Sequence, residues 1–203
     1  IDDSLDGLDL AFDGTASRVA AAQFAAGRSM LEGGLALRDG RTNLRYNLGF
    51  GHARVAGVAA DSLKAEGTAR RTVEGAWRAS ASIAGEGIVP GNGWQGRLRA
   101  WEQAGRDTLI APLLARLRTA LARETAGSRL AAEVDIATRA QGLSIGVPSA
   151  DLFGASGARV LSVSRLSIQP TEGALPRATG NFRTGGAGVP LIAGRMERAA
   201  SGR

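Results

Sequence analysis

Apolar and polar residues alternate with period two along much of this chain. Leu8, Leu10 and Phe12 alternate with Asp9, Ala11 and Asp13, and Leu44, Tyr46, Leu48 and Phe50 with Arg45, Asn47 and Gly49. Leu130, Ala132, Val134 and Ile136 alternate with Arg129, Ala131, Glu133 and Asp135, and Leu143, Ile145 and Val147 with Ser144 and Gly146. Successive side chains of a strand point to opposite faces, so each run has one apolar face and one polar or small face. That pattern predicts antiparallel strands wetted on one side. Leu161 and Val163 lead into Leu166 and Ile168 with a change of phase at Ser164-Arg165, which predicts a β-bulge.

Turn chemistry separates the runs. Arg38-Asp39-Gly40-Arg41 places an Asp-Gly pair between two strand-like runs and predicts a hairpin. Arg139-Ala140-Gln141-Gly142 predicts a slightly longer loop, and Gly85-Glu86-Gly87 and Pro90-Gly91-Asn92-Gly93 are further breaks. Residues 53–84 are Ala-rich and poorly patterned and read as weak strands. One segment changes period. From Thr108 to Glu124, Leu109, Leu113, Leu117 and Leu121 recur every four residues, with Ile110 and Leu114 beside them. At ~100° per residue these six fall within an arc of about 140°, the apolar face of an amphipathic helix. Asp107 or Thr108 can cap it, Pro112 lies in the first turn, where it is tolerated, and Gly127 suits its end.

Composition narrows what these elements build. Aromatic residues make up 4% of the 203 residues, against 29 Gly and many Ala. Such small side chains fill a thick core poorly and suit a thin, sheet-like architecture. No cysteine is present, which removes disulfides, thiolate metal sites and Cys nucleophiles. The net charge of +6 is carried almost wholly by Arg, Lys64 being the only lysine. The arginines are scattered and the rings few, so the basic cluster with interleaved aromatics of a nucleic-acid site is missing. No stretch approaches the roughly 20 apolar residues that span a bilayer. The chain opens on Ile1, not Met, and reads as a segment of a longer protein.

No assembled catalytic or metal motif stands out. His52, the only histidine, has no acid at catalytic spacing and reads as a surface residue continuing an alternating strand. Gly154-Ala155-Ser156-Gly157 fails as a nucleophile elbow because Ala158 stands where the second Gly is required. Gly91-Asn92-Gly93-Trp94-Gln95-Gly96 matches the dinucleotide fingerprint in letters, but Pro90 precedes it and the helix begins only about ten residues later. Asp2, Ser4, Asp6, Gly7 and Asp13 loosely follow a calcium-loop spacing, yet Leu8, Leu10 and Phe12 read as strand. The expectation is a non-enzyme with no cofactor and no metal.

From the helix onward the chain resembles the C-terminal part of YdbH-like proteins, of the AsmA-like and TamB-type group of bacterial intermembrane lipid-transport bridges. The resemblance is carried by Ile110-Ala111-Pro112-Leu113-Leu114-Ala115-Arg116-Leu117-Arg118, by Gly127-Ser128-Arg129-Leu130 and by Glu133-Val134-Asp135-Ile136. Leu161-Ser162-Val163 and Arg183-Thr184-Gly185-Gly186-Ala187-Gly188-Val189-Pro190 complete it. It covers roughly the second half; the first half shares only the texture of Ala/Gly-rich alternating strands.

The resemblance implies an elongated, curled antiparallel sheet whose apolar concave face carries phospholipid acyl chains. It implies a periplasmic segment of a protein anchored in the inner membrane of a Gram-negative bacterium, by parts outside this chain, with a possible envelope protein partner at the outer membrane. The expected fold is mainly β, with one helix near residues 108–124. The chain is expected to divide into β-rich 1–106, helical 107–127 and β-rich 128–203, as one continuous domain. The expected groove lining is Leu44, Tyr46, Leu48, Phe50, Leu130, Val134, Ile136, Leu143, Ile145, Val147, Leu161 and Val163. Leu109, Ile110, Leu113, Leu114, Leu117 and Leu121 form the expected apolar face of the helix. The competing expectation is a structural or adhesive envelope β-protein whose apolar faces cover one another. A hydrolase with a scattered site is a third reading, and an outer-membrane barrel is disfavoured by the missing aromatic girdles.

Overall fold

A computed structural model describes residues 7–21, 24–55, 58–90, 96, 99–100, 102–103, 111–124, 127–139, 142–171 and 174–198. The alternating runs form long strands: β1 (Leu8–Ala21), β2 (Phe24–Arg38), β3 (Arg41–Val55), β4 (Val58–Arg71) and β5 (Trp77–Glu86). The two-residue β6 (Val89–Pro90) follows, then the helix α1 (Ala111–Glu124). β7 (Arg129–Arg139), β8 (Gly142–Phe153), β9 (Arg159–Thr171), β10 (Ala174–Thr184) and β11 (Ile192–Arg198) complete the chain.

All of these strands belong to one antiparallel, curled and unclosed sheet. Its order is β1-β2-β3-β4-β5-β7-β8-β9-β10-β11, with β6 paired to the end of β4. Each strand pairs with the next in sequence, except that β5 pairs with β7 across the excursion containing α1. The Asp-Gly turn forms as expected, with Asp39 at φ 50° and Gly40 at φ 67°, the left-handed pair that joins strands of natural twist. Residues 53–84, the weakly patterned region, contain all of β4 and the greater part of β5, well-formed strands of 14 and 10 residues. Most of their inward positions, Ala65, Gly67, Ala69, Ala79 and Ala81, are small and offer little hydropathic contrast.

The bulge at Ser164-Arg165 is present. Thr179 pairs with Ser167 and Asn181 with Ser164, so β9 carries one extra residue against β10, and Arg165 takes φ 52°. The matching phase change in β8 lies between Gly146, paired with Asp135, and Ser149, paired with Glu133. β8 and β9 change phase together, so their mutual register stays unbroken there.

A second change of phase corrects the reading of His52. Flanking pairs place Arg18, Gly27, His52, Asp61 and Gly87 in one row across the sheet. Arg18, His52 and Gly87 have φ of 59°, 52° and 61°. His52 is exposed, but the alternation does not continue through it: inward Phe50 is followed by inward Ala53, not by position 52. The left-handed residue inverts the pleat, so the strand beyond it keeps its apolar residues on the same side.

Among the described residues the buried apolar side chains form small clusters. Ala53, Ala60 and Ile88 pack with Phe24, Phe50, Leu63 and Leu130. Leu117 and Ala120 of α1 pack with Val160 and Val189, against Leu152 and Ile192. Both clusters lie toward the strand ends that meet α1. Among the described residues no complete second layer covers the sheet.

Candidate functional site

Directly paired residues in an antiparallel sheet share a face, so the register fixes which side chains are neighbours. One row reads Leu10, Leu35, Leu44, Ala69, Ala79, Ile136, Ile145, Ile168 and Ala178, across nine consecutive strands of the sheet order. A second reads Gly14, Leu31, Leu48, Ala65, Ile83, Ala132, Ala150, Val163, Phe182 and Gly194, across ten. The row nearest α1 holds Phe50, Leu63, Leu130, Leu152 and Leu161. At ~4.8 Å per strand, nine intervals make an apolar surface about 43 Å wide.

The opposite face is its polar counterpart. Asp13, Glu32, Asn47, Glu66, Ser82, Glu133, Ser149, Ser164, Asn181 and Arg195 form one unbroken row across the same ten strands. Within it the Ser82 hydroxyl donates to Glu133 Oε1 at 2.7 Å. A shallow depression of about 670 Å³ lies here, lined by Glu32, Arg45, Glu66, Thr68, Ser82 and Glu133 among others. Among the described residues no group of three or more His, Asp and Glu is placed to hold a metal ion.

Two glycines shape the apolar face. A Cβ on Gly33 would meet the Arg45 carbonyl and the ring of Phe12, and one on Gly67 would meet the Ser80 carbonyl. A neighbouring strand's backbone comes this close on the Cβ side only where the sheet turns a corner toward that side. Both corners fold toward the apolar face, and glycine is what permits them. Aromatic side chains cover the gaps: Phe12 lies over Gly33, and Tyr46 reaches across Gly67 to donate its hydroxyl to the Ser80 carbonyl at 3.3 Å. Burial pushes the Tyr46 phenol above its ordinary pKa.

The structure brings all twelve expected lining residues to this one face. Phe50, Leu130 and Leu161 lie in the row nearest α1. Leu44, Leu48, Val134, Ile136, Ile145 and Val163 lie in the broad middle, with Tyr46 and Val147, and Leu143 stands near the far end. The far half is uncovered among the described residues. Leu10 is 47% exposed, Ile136 40% and Leu143 42%, high values for side chains whose strand neighbours are also apolar. Leu31, Leu35, Leu63 and Ile83 also belong to the surface and were missed. In β2 the alternation is masked by Gly33-Gly34 and by Met30 on the polar side, and Leu63 and Ile83 stand among alanines.

Two of the six residues of the expected helix face are described. Leu117 is buried as expected, but Leu113 is 43% exposed, and the buried stripe runs through Leu117, Ala120 and Glu124. Leu109 and Ile110 lie outside the described residues, as do the side chains of Leu114 and Leu121 and the stretch Gly91–Gln95. The inward turn at Glu124 has a polar cause. Its carboxylate accepts from the Ser156 hydroxyl at 2.9 Å and from Arg123 Nε at 3.3 Å, while its own carbonyl accepts from the Ala155 N–H. The Ser156 hydroxyl, helped by the Ser156 N–H and Arg123, holds the Glu124 carboxyl below the usual carboxylate range against the opposing effect of burial. Gly154 makes room, since a Cβ there would meet that carboxylate. Ser156, the serine of the failed nucleophile elbow, is thus the partner that ties α1 to the β8–β9 loop.

No family model, curated protein or solved structure matches the chain. The fold and its two-faced surface therefore carry the functional argument. No helix among the described residues is long and apolar enough to cross a membrane.

Proposed function

We propose that this chain is a segment of a periplasmic trough that conducts phospholipids between the inner and outer membranes, with acyl chains held against the apolar face. One observation carries the reading: an apolar surface crossing ten strands, uncovered over half its length among the described residues. Such a surface in water is costly at about 25 cal/mol per Å². An acyl chain removes that cost, and the polar rows on the other side keep the outside wet. The lining is mostly aliphatic, with a few rings, so a tail can shift from one row to the next.

The resemblance to YdbH-like proteins supports the same reading and supplies its setting: a protein anchored in the inner membrane through parts outside this chain, with a partner at the outer membrane. The competing reading, a structural protein with a self-covered core, finds support only at the α1 end, where the two buried clusters lie.

Photo-crosslinking in cells tests the proposal. A photoreactive residue at Leu48, Val134 or Ile145 is expected to capture phospholipid, and one at Arg45 or Asp135 is not. Equal labelling of the two faces, or none at all, would overturn the trough.

A further inference from the structure

The α1 end of the sheet carries chemistry that the trough does not use. The 185–191 loop between β10 and β11 is tied down at several points. Gly185 N–H donates to the Val160 carbonyl, Arg123 Nη2 to the Ala187 carbonyl at 2.6 Å, and the Thr184 hydroxyl to the Pro190 carbonyl at 2.7 Å. This fastened loop holds Leu191 outward at 68% exposure, the most exposed of the large apolar side chains described. Leu113 of α1 lines the concavity beside it.

Two concavities flank Leu191, and each carries two arginines. One of about 700 Å³ lies between α1 and the loop and is lined by Arg116 and Arg123. The other, about 330 Å³, lies on the sheet side, with Arg159, Arg183, the Ser162 hydroxyl and the Gly185-Gly186 backbone. The two carboxylates nearby pair with one arginine each, Glu124 with Arg123 at 3.3 Å and Asp151 with Arg159 at 3.7 Å, and leave Arg116 and Arg183 in excess. Four arginines against two carboxylates leave an outward excess of two positive charges around an apolar tip.

We propose that this end docks on an anionic lipid bilayer, with Leu191 entering the interface and Arg116, Arg123, Arg159 and Arg183 lying at the level of the headgroup phosphates. Charge complementarity selects the occupant: apolar insertion framed by arginine is the chemistry of interfacial binding to anionic lipid. Neither concavity has an aromatic lining residue on which a nucleic-acid base would stack. The inference deepens the proposed function, and rests on it in one respect: it assigns the place where the trough meets a membrane.

Flotation of the purified chain with vesicles tests it. Binding is expected to vesicles of phosphatidylcholine mixed with phosphatidylglycerol, to weaken with salt, and to be slight with phosphatidylcholine alone. R159Q/R183Q is expected to lower the partition coefficient about thirty-fold, and L191S about tenfold. R70Q/R78Q removes the same charge at the far end of the strands, several Debye lengths away, and is expected to leave binding within about twofold. Leu191→Cys carrying a polarity-sensitive fluorophore should shift to the blue on the mixed vesicles, and Val73→Cys at the far end should not. No binding to the mixed vesicles, equal binding to neutral ones, equal effects of the two arginine pairs, or equal fluorophore shifts would each overturn the proposal. So would displacement by inorganic phosphate at matched phosphate concentration, which would reassign the arginines to a free anion. Crosslinking at Leu48, Val134 and Ile145 reads the trough separately, so the two failures are distinguishable.

Discussion

At the residue scale, glycine decides the geometry more than any polar side chain does. Gly67 lies where the sheet turns, with the Ser80 carbonyl and the Tyr46 hydroxyl occupying the space a Cβ would need. Backbone cannot yield there without moving a whole strand. Gly67→Ala is therefore expected to destabilise the chain by about 1–3 kcal/mol. At Gly34 the nearest atom to a Cβ is the Leu10 carbonyl at 3.6 Å, an ordinary contact. Gly34→Ala should change stability by less than about 1 kcal/mol, and denaturant midpoints of the two variants check the contrast. None of this was legible beforehand. In a chain with 29 Gly, nothing local distinguishes a corner from a turn, and the same holds for His52, whose left-handed backbone belongs to a row spanning several strands.

At the scale of elements, strands and helix differ in how far their own residues determined them. Long-side-chain alternation located β3, β7 and β8, and a break in phase located the bulge of β9. The helix was found by its leucine repeat, but the burial of Glu124 at its end goes with its bond to Ser156, a contact between residues 32 positions apart. That bond predicts a pH dependence. The Glu124 carboxyl lies below its ordinary value of 4.5 in the folded chain. The unfolded chain thus takes up its proton first as pH falls, and the stabilisation, full above the unfolded value, is lost as pH drops through the folded one. Removing the hydroxyl returns Glu124 toward its ordinary value. Ser156→Ala is expected to flatten the loss of thermal stability between about pH 5 and pH 2 relative to the wild-type chain. An unchanged slope would assign the acid sensitivity to other carboxylates.

For the whole molecule, the two halves of the apolar face should respond differently to the same kind of substitution. Leu117 fills the covered end and Ile136 stands on the uncovered part. Leu117→Ala is expected to cost about 2–4 kcal/mol, including the cavity left behind. Ile136→Ala leaves no closed cavity and should cost about 1 kcal/mol. Chemical denaturation of both variants measures the difference, and equal costs would mean that the far half is covered in solution. The open architecture also accounts for the composition. A sheet needing no thick core has little use for aromatic residues, and small residues let it curl.

Period-two patterning by itself determined that the chain is a β-sheet protein with one wet face, and it named twelve residues that all lie on the dry one. It did so because each strand is wetted on one side along its length, so burial is written locally at every second position. Only the tertiary structure decided that ten strands pair in one register, so that the separate apolar faces join into a single surface. Pairing between strands is a non-local relation. The residues that preserve it, Gly33 and Gly67 at the corners, His52 and Arg165 where the pleat changes phase, act through neighbouring strands rather than through any pattern in their own.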